Sequence, residues 1–150
     1  MSTDTETFSP PLVCLCGSTR FKAVFDDANA RLTIEGYVVL TVGFFAGTSL
    51  GGRQPTFAEK LRLDDLHLRK IDLADEVLIL NVGGYIGAST KRETWYAHRR
   101  GKKLRFLEPE KVSLADVESW FDGWAGWQAA AQVSARSGAT SVTWPAASTR

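Results

Sequence analysis

The feature that most constrains the fold is a regular alternation of strand-like and helix-like patterns along the chain. The clearest strand, Glu76 to Asn81, has the near-continuous Val, Leu and Ile content of a parallel strand covered on both faces. Such strands, alternating with helices, indicate βαβ units with right-handed crossovers. The pattern therefore predicts an α/β fold, a three-layer parallel sheet of four to five strands with helices on both faces.

The alternation predicts four strands and four helices. The strands are expected at Leu12 to Cys16, Tyr37 to Val42, Glu76 to Asn81 and Lys103 to Leu107. The helices are expected at Phe21 to Glu35, Thr56 to Leu73, Ser89 to Arg100 and Ser113 to Ala131. Gly36 stands where a glycine stops the first helix.

Length and charge limit the classes of function. The 150 residues fit one domain, expected at 10–128, between a disordered segment at 1–9 and a mobile Ala/Ser/Thr-rich tail at 129–150. Lys and Arg total 18 against 17 Asp and Glu, so no basic field favours nucleic acid. No signal peptide or membrane-spanning apolar run is visible, and a cytoplasmic protein without a membrane partner is expected.

The two cysteines fit a reducing compartment. Cys14 and Cys16 lie two residues apart on a predicted strand, so they point to the same side but are too close in sequence for an ordinary disulfide. In the sequence they lack the partners of a metal site. Neither a metal nor a cofactor is predicted.

A glycine-rich turn follows the third strand and leads to a carboxylate. Gly83, Gly84 and Gly87 free the backbone for close approach to a ligand, which is expected at the carboxyl end of the strand. Glu93 is expected in the first helical turn, where the dipole favours the ionised form and a role as nucleophile or charge stabiliser. The alternative is structural, because Thr90 to Glu93 also matches a capping box.

The turn after the first strand is suited to a phosphate. Gly17, Ser18, Thr19 and Arg20 bring backbone amides, two hydroxyls and a guanidinium to a helix start. Neither a Walker A motif nor a dinucleotide fingerprint is present. The alternative is that Ser18 or Thr19 only caps the helix.

The loop Gly43 to Pro55 is longer than most connections inside a compact domain, which favours a functional role. Phe44 and Phe45 are candidates to stack on a planar ring, and Arg53 to reach a charged group. An ordinary surface loop is the alternative.

The second helix carries polar residues within an apolar stripe. Asp64 lies on that stripe and His67 flanks it, so both are candidates to face Glu93 across a pocket. The stripe consists of Phe57, Leu61, Leu68 and Ile71. The alternative is that His67 is an exposed or hydrogen-bonded helix histidine and that Asp64 and Asp65 reflect the ordinary preference for acidic residues in the first half of a helix.

Three segments together carry a family resemblance. CGSTRF after the first strand, ADEV before the third, and the turn GYIGASTKRE resemble the nucleoside 2-deoxyribosyltransferase-like superfamily, which includes nucleoside 5'-monophosphate N-glycosidases. The resemblance covers about residues 12 to 108 and implies a flavodoxin-like sheet.

The resemblance also implies a chemistry. The glutamate matching Glu93 would attack the anomeric carbon and form a ribosyl-enzyme intermediate, which water or a second base resolves. The 5'-phosphate would lie at Gly17, Ser18 and Arg20, and Ser89 would assist. The substrate would be a small nucleoside or nucleotide.

The chain departs from the family at three positions. His67 stands where an aspartate is usual, Cys14 where a tyrosine is frequent, and Gly87 where an acidic or hydroxyl residue is frequent.

Two other functions stay open. A non-catalytic sensor would bind a nucleotide or nucleotide-sugar in the same pocket. An interaction module would use a Trp-rich helix that favours a homodimer or higher homo-oligomer, unless its rings pack beneath the sheet. The aromatic residues of that helix are Trp120, Phe121, Trp124 and Trp127.

Overall fold

A computed structural model describes residues 9 to 120 and contains one four-stranded sheet in that range. The strands are β1 (Leu12–Cys16), β2 (Val38–Leu40), β3 (Glu76–Ile79) and β4 (Lys103–Phe106). Their order is β2-β1-β3-β4 and every neighbouring pair is parallel. The predicted α/β class and parallel sheet are confirmed.

Four helices of six or more residues connect and flank these strands within residues 9–120: α1 (Lys22–Ile34), α2 (Phe57–Leu73), α3 (Ala88–Arg99) and α4 (Leu114–Ser119). A four-residue helical segment, Ser49–Gly52, lies in the loop before α2. Helix α2 begins where Thr56 and Glu59 form a reciprocal capping box. Helix α1 ends before Gly36, whose φ of +102° suits glycine and confirms the predicted stop. Strand β2 is shorter than predicted because its flanking residues leave the ladder.

The sheet separates two cores, and β1 contributes to both because successive side chains alternate. Val13 and Leu15 face α1 in an apolar core, which we call the α1 face; its other buried members are Phe25, Ala28, Leu32, Phe45, Leu78 and Leu80. Cys14 and Cys16 face the opposite core, the α2–α3 face, with buried partners Leu68, Ile71, Ala74, Val77, Ile79, Trp95, Tyr96 and Ala97. The prediction that the two cysteines share one side is confirmed.

Helix α2 differs from its predicted stripe at its beginning. Phe57 is 71% exposed because it is the first residue of the helix, next to the cap and away from the sheet. Leu68 and Ile71, further along, are buried as expected.

Several predictions fall on other parts of the chain. Three predictions lie outside the described residues: disorder at 1–9, of which only residue 9 is described, the helix beyond Trp120 with its remaining aromatic residues, and the mobile tail at 129–150. Across residues 9–120, no helix has both the length and the apolar character that crossing a bilayer requires.

Candidate functional site

A cleft of roughly 1080 Å³ opens at the carboxyl ends of β1 and β3. The chain leaves β1 toward β2 and leaves β3 toward β4, on opposite sides, so the crevice between β1 and β3 is the topological switch point of the sheet. Eight of the predicted site residues lie on its wall: Gly17, Ser18, Thr19, Phe44, Asp64, His67, Ser89 and Glu93. Arg20, Phe45, Gly83 and Gly84 do not.

The turn after β1 approaches the sheet closely. A Cβ at Gly17 would lie 3.2 Å from Leu80 Cβ and 3.3 Å from Phe25 Cζ, so only glycine leaves these neighbours undisturbed. Ser18 caps the short 3-10 helix Thr19–Phe21 by accepting a hydrogen bond from the Arg20 amide at 3.4 Å. The capping role of Ser18 therefore coexists with its place on the cleft wall.

Arg20 is held at the rim by an aromatic ring. Its guanidinium lies 4.4 Å from the centre of the Tyr85 ring, and Nη2 donates to Tyr85 Oη at 3.2 Å. Tyr85 itself is on the cleft wall. Sequence reasoning missed Tyr85, although its position between Gly84 and Gly87 in the turn was a usable signal.

The two neighbouring phenylalanines of the long loop have different environments. Phe44 lies on the cleft wall, with the Arg53 guanidinium 5.9 Å from its ring centre. Phe45 is buried on the α1 face, edge-to-face with Phe25 at 5.6 Å. The prediction that Phe45 stacks on a ligand is therefore replaced by a core role, because its ring is already covered by protein.

Of the three predicted glycines after β3, Gly87 lies on the cleft wall, whereas Gly83 and Gly84 do not. The Gly83 amide donates to Glu108 Oε2 at 2.7 Å, and Gly84 packs against the aliphatic part of Lys111. The Gly83 amide and Lys111 lower the pKa of Glu108. The backbone amide predicted to meet a ligand here is thus occupied by the protein itself.

Glu93 is not a capping residue. Helix α3 begins at Ala88 after Gly87, and no side chain caps it, so Glu93 lies in the second turn and not in the first. The capping-box interpretation is wrong because the helix starts earlier than Thr90. Glu93 is free of that structural role.

Burial dominates the electrostatics of Glu93. Its side chain is 13% exposed, and burial raises its pKa, while the charges of His67 and Arg92 act in the opposite direction. The helix dipole was expected to lower the pKa of Glu93, and the structure gives the opposite direction. The carboxylate lies one turn beyond the free amides of the helix start, and it has little contact with solvent. Its ionised form depends on neighbouring cations.

His67 is one of these cations and lies within ion-pair distance of Glu93. Its Nε2 lies 4.0 Å from Glu93 Oε1, 3.7 Å from Cys14 Sγ and 3.4 Å from Cys16 Sγ. Burial on its own lowers the pKa of His67, but the charge of Glu93 and the contact with Cys14 outweigh it and raise the pKa to about 9. At neutral pH His67 is therefore an imidazolium that faces Glu93.

The cysteines have a partner that the sequence did not reveal. We call Cys14, Cys16 and His67 the Cys–His cluster; all three are buried, and their ligand atoms lie within 4.8 Å of one another. A hydrogen bond from Cys16 and the proximity of His67 lower the pKa of Cys14 to about 5 against the effect of burial. Burial raises the pKa of Cys16, which keeps its proton. The expectation that these cysteines lack metal-binding partners is wrong.

Asp64 reaches the cleft already paired. Lys60 Nζ lies 2.7 Å from Asp64 Oδ2, and Arg92 Nη2 lies 3.5 Å from the same oxygen. Arg92 also donates to Ser89 Oγ at 3.4 Å. Asp64 therefore connects to Glu93 through the charge of Arg92 and not by direct contact. Lys60 was missed, although its i,i+4 spacing from Asp64 predicts the pair.

No family model, curated protein or solved structure matches this chain.

Proposed function

We propose that this chain cleaves the N-glycosidic bond of a nucleoside or a nucleoside 5'-monophosphate, with Glu93 as the nucleophile. One observation carries the proposal. A poorly solvated carboxylate and the anion-suited turn Gly17 to Thr19 lie on the wall of one cleft at the switch point of the sheet. A sugar phosphate requires two such features, one for the anomeric carbon and one for the phosphate.

The proposed first step is a displacement at the sugar. A Glu93 carboxylate oxygen bonds to the anomeric carbon as the bond from that carbon to the base nitrogen breaks. The leaving base takes a proton from the imidazolium of His67, whose pKa of about 9 keeps it protonated at neutral pH. The oxocarbenium-like transition state is stabilised by the negative charge of Glu93.

The second step regenerates the carboxylate. Neutral His67 accepts a proton from water, and the water oxygen bonds to the anomeric carbon as the ester bond to Glu93 breaks. A second base in place of water gives base transfer. Asp64 acts as a positioning residue, because its ion pair with Arg92 keeps that cation near Glu93.

The wall supplies contacts for the rest of the substrate. Ser18 and Thr19 offer hydroxyls and backbone amides to a 5'-phosphate, and Ser89 offers a hydroxyl in the first turn of the helix that carries Glu93. Phe44 provides an apolar ring for the base. These placements favour a monophosphate over a bare nucleoside.

The test is release of free base from a panel of nucleosides and 5'-monophosphates, followed by chromatography. We expect the wild-type chain to release base and Glu93→Gln to lose at least about 10³-fold in kcat/KM, because the nucleophile is gone. Glu59→Gln is the matched control, since Glu59 lies outside the cleft wall and pairs with Arg53. No release from any substrate, or full activity in Glu93→Gln, contradicts the proposal.

A second candidate is a non-catalytic nucleotide-binding domain. The pairing of Asp64 with Lys60 and Arg92 favours this candidate. Among the described residues, no carboxylate without a cationic partner faces Glu93 to serve as a second acid or base. This candidate predicts tight binding of a 5'-monophosphate in calorimetry without release of base. Turnover that Glu93→Gln abolishes would exclude it.

A further inference from the structure

The Cys–His cluster has the interatomic distances of a metal site. The sulfurs of Cys14 and Cys16 lie 3.7 Å and 3.4 Å from His67 Nε2. In a tetrahedral zinc site with Zn–S of about 2.3 Å and Zn–N of about 2.0–2.1 Å, sulfur and nitrogen ligands are about 3.6 Å apart. Each sulfur–nitrogen pair therefore already stands near the separation that zinc imposes, and all three donor atoms lie within 4.8 Å of one another.

The donor chemistry also fits zinc. Two cysteine sulfurs and an imidazole nitrogen form a borderline-to-soft ligand set, which zinc prefers over the oxygen ligands of magnesium or calcium. Two thiolates balance the charge of a divalent cation, so the occupied cluster would be electrically neutral. Neutrality favours a site whose cysteines have no solvent exposure.

The cluster is accessible from one side. His67 and Glu93 both belong to the cleft wall, so a metal can enter from the cleft although the two cysteines are buried. Three protein ligands would leave a fourth tetrahedral position for a water. Glu93 Oε1, at 4.0 Å from His67 Nε2, is close enough to hold a water at that position.

We propose that Cys14, Cys16 and His67 bind one zinc ion at the base of the cleft, through two thiolates and the Nε2 nitrogen. The site does not depend on the proposed glycosidase activity. Binding releases the remaining thiol and imidazolium protons to solvent.

The first test measures zinc in the full chain, produced without a histidine tag. Protein stripped by a chelator is titrated with zinc chloride against a chromophoric competitor, and one zinc per chain is expected. Cys16→Ser and His67→Gln should each lower the zinc affinity by at least about 100-fold, because loss of a residue that only hydrogen-bonds to a ligand already lowers metal affinity by about 10–100-fold. His98→Gln is the matched control because His98, the other histidine, lies outside the cluster and 3.7 Å from Glu118.

Three results of the zinc titration would each overturn the site. No zinc above the buffer in the wild type, full retention in Cys16→Ser, or loss in His98→Gln overturns the site. Binding of cuprous ion without zinc overturns the choice of metal. Circular dichroism on each variant shows that the fold is intact.

A second measurement needs no variant. Cobalt(II) bound to the wild-type chain should give the strong visible d–d bands of a tetrahedral ion and a thiolate-to-cobalt charge-transfer band in the near ultraviolet. Octahedral spectra without the thiolate band would place the metal elsewhere and overturn the proposal.

The two proposals fail independently. Zinc would occupy the His67 nitrogen that carries the proton during base release, so base release is assayed with a chelator present. A chain that binds zinc and releases no base contradicts only the glycosidase proposal. A chain that releases base and binds no zinc contradicts only the metal site.

Discussion

The two faces of one sheet differ in what their side chains do. On the α1 face the buried residues are apolar, and Phe25 and Phe45 pack edge-to-face at its centre. On the α2–α3 face the core also contains two cysteines next to His67 and Glu93. The strand β1 supplies both faces, because Val13 and Leu15 alternate with Cys14 and Cys16. The period of a single strand therefore separates a face that stabilises the fold from a face that carries titratable groups.

The contrast predicts a large stability effect on the α1 face. Phe25→Ala should lower the free energy of unfolding by about 3–5 kcal/mol, because it opens a cavity where the ring is 1% exposed and touches Phe45. Urea unfolding followed by circular dichroism measures it. Ile34→Ala on the same helix is the matched control; Ile34 is 89% exposed, so its change should stay within about 0.5 kcal/mol. If both variants lose a similar free energy of unfolding, apolar packing on the α1 face is not what stabilises the fold.

The α2–α3 face should respond differently to an apolar substitution. Cys14→Val nearly conserves volume in a fully buried position, so the free energy of unfolding should change by less than about 1.5 kcal/mol when chelator is present and the pH is about 4, where Cys14 is a thiol and no thiolate partner of His67 is lost. The same variant removes one of the three proposed zinc ligands. We expect nearly wild-type urea unfolding together with lost zinc. A loss of stability as large as that of Phe25→Ala would mean that both faces depend equally on packing.

The exposed rim near α2 provides the smallest effect. Hydrogen bonds from Arg53 and from the Thr56 amide lower the pKa of Glu59 from 4.5 to about 2. Because the pKa is lowered in the folded state, the stabilisation is fully present above the ordinary pKa and is lost as the pH falls through about 2. Glu59→Gln keeps a cap acceptor but loses the ion pair with Arg53.

We therefore expect Glu59→Gln to lower the urea midpoint slightly at neutral pH and to match the wild type near pH 2. Paired unfolding curves at the two pH values measure the difference. If the difference between the urea midpoints of the two proteins grows at acid pH, the ion pair between Glu59 and Arg53 is not the source of that difference.

The sequence predicted the order of strands and helices because hydrophobic period is a local property. The apolar run at Glu76 to Asn81 and the stop at Gly36 needed no knowledge of distant residues. The place of the cleft followed in turn, since parallel strands end at one edge of the sheet.

The predictions that were wrong concern the direction of side chains and the contacts between residues far apart in sequence. Phe44 and Phe45 are adjacent in an irregular loop, and no period tells which ring faces the core. The predicted start of α3 at Ser89 is one residue from the observed Ala88, but the Thr90 to Glu93 pattern wrongly predicted a cap at a position already inside the helix. The approach of His67 to Cys16 joins residues 51 apart in sequence, which only the crossover brings together. One signal was available: His67 stands four residues before buried Ile71 and so shares its helix face.

Arg20 and Tyr85 link the two turns that border the cleft. Arg20 follows β1 and Tyr85 follows β3. The Arg20 guanidinium lies 4.4 Å from the centre of the Tyr85 ring, and this contact connects the two turns at the rim. The ring can occupy that place because residue 87 is glycine, since a Cβ there would lie 3.0 Å from Tyr85 Oη. An anion bound at this rim would compete with the Tyr85 ring for the Arg20 guanidinium, whereas a neutral ligand would leave that contact in place.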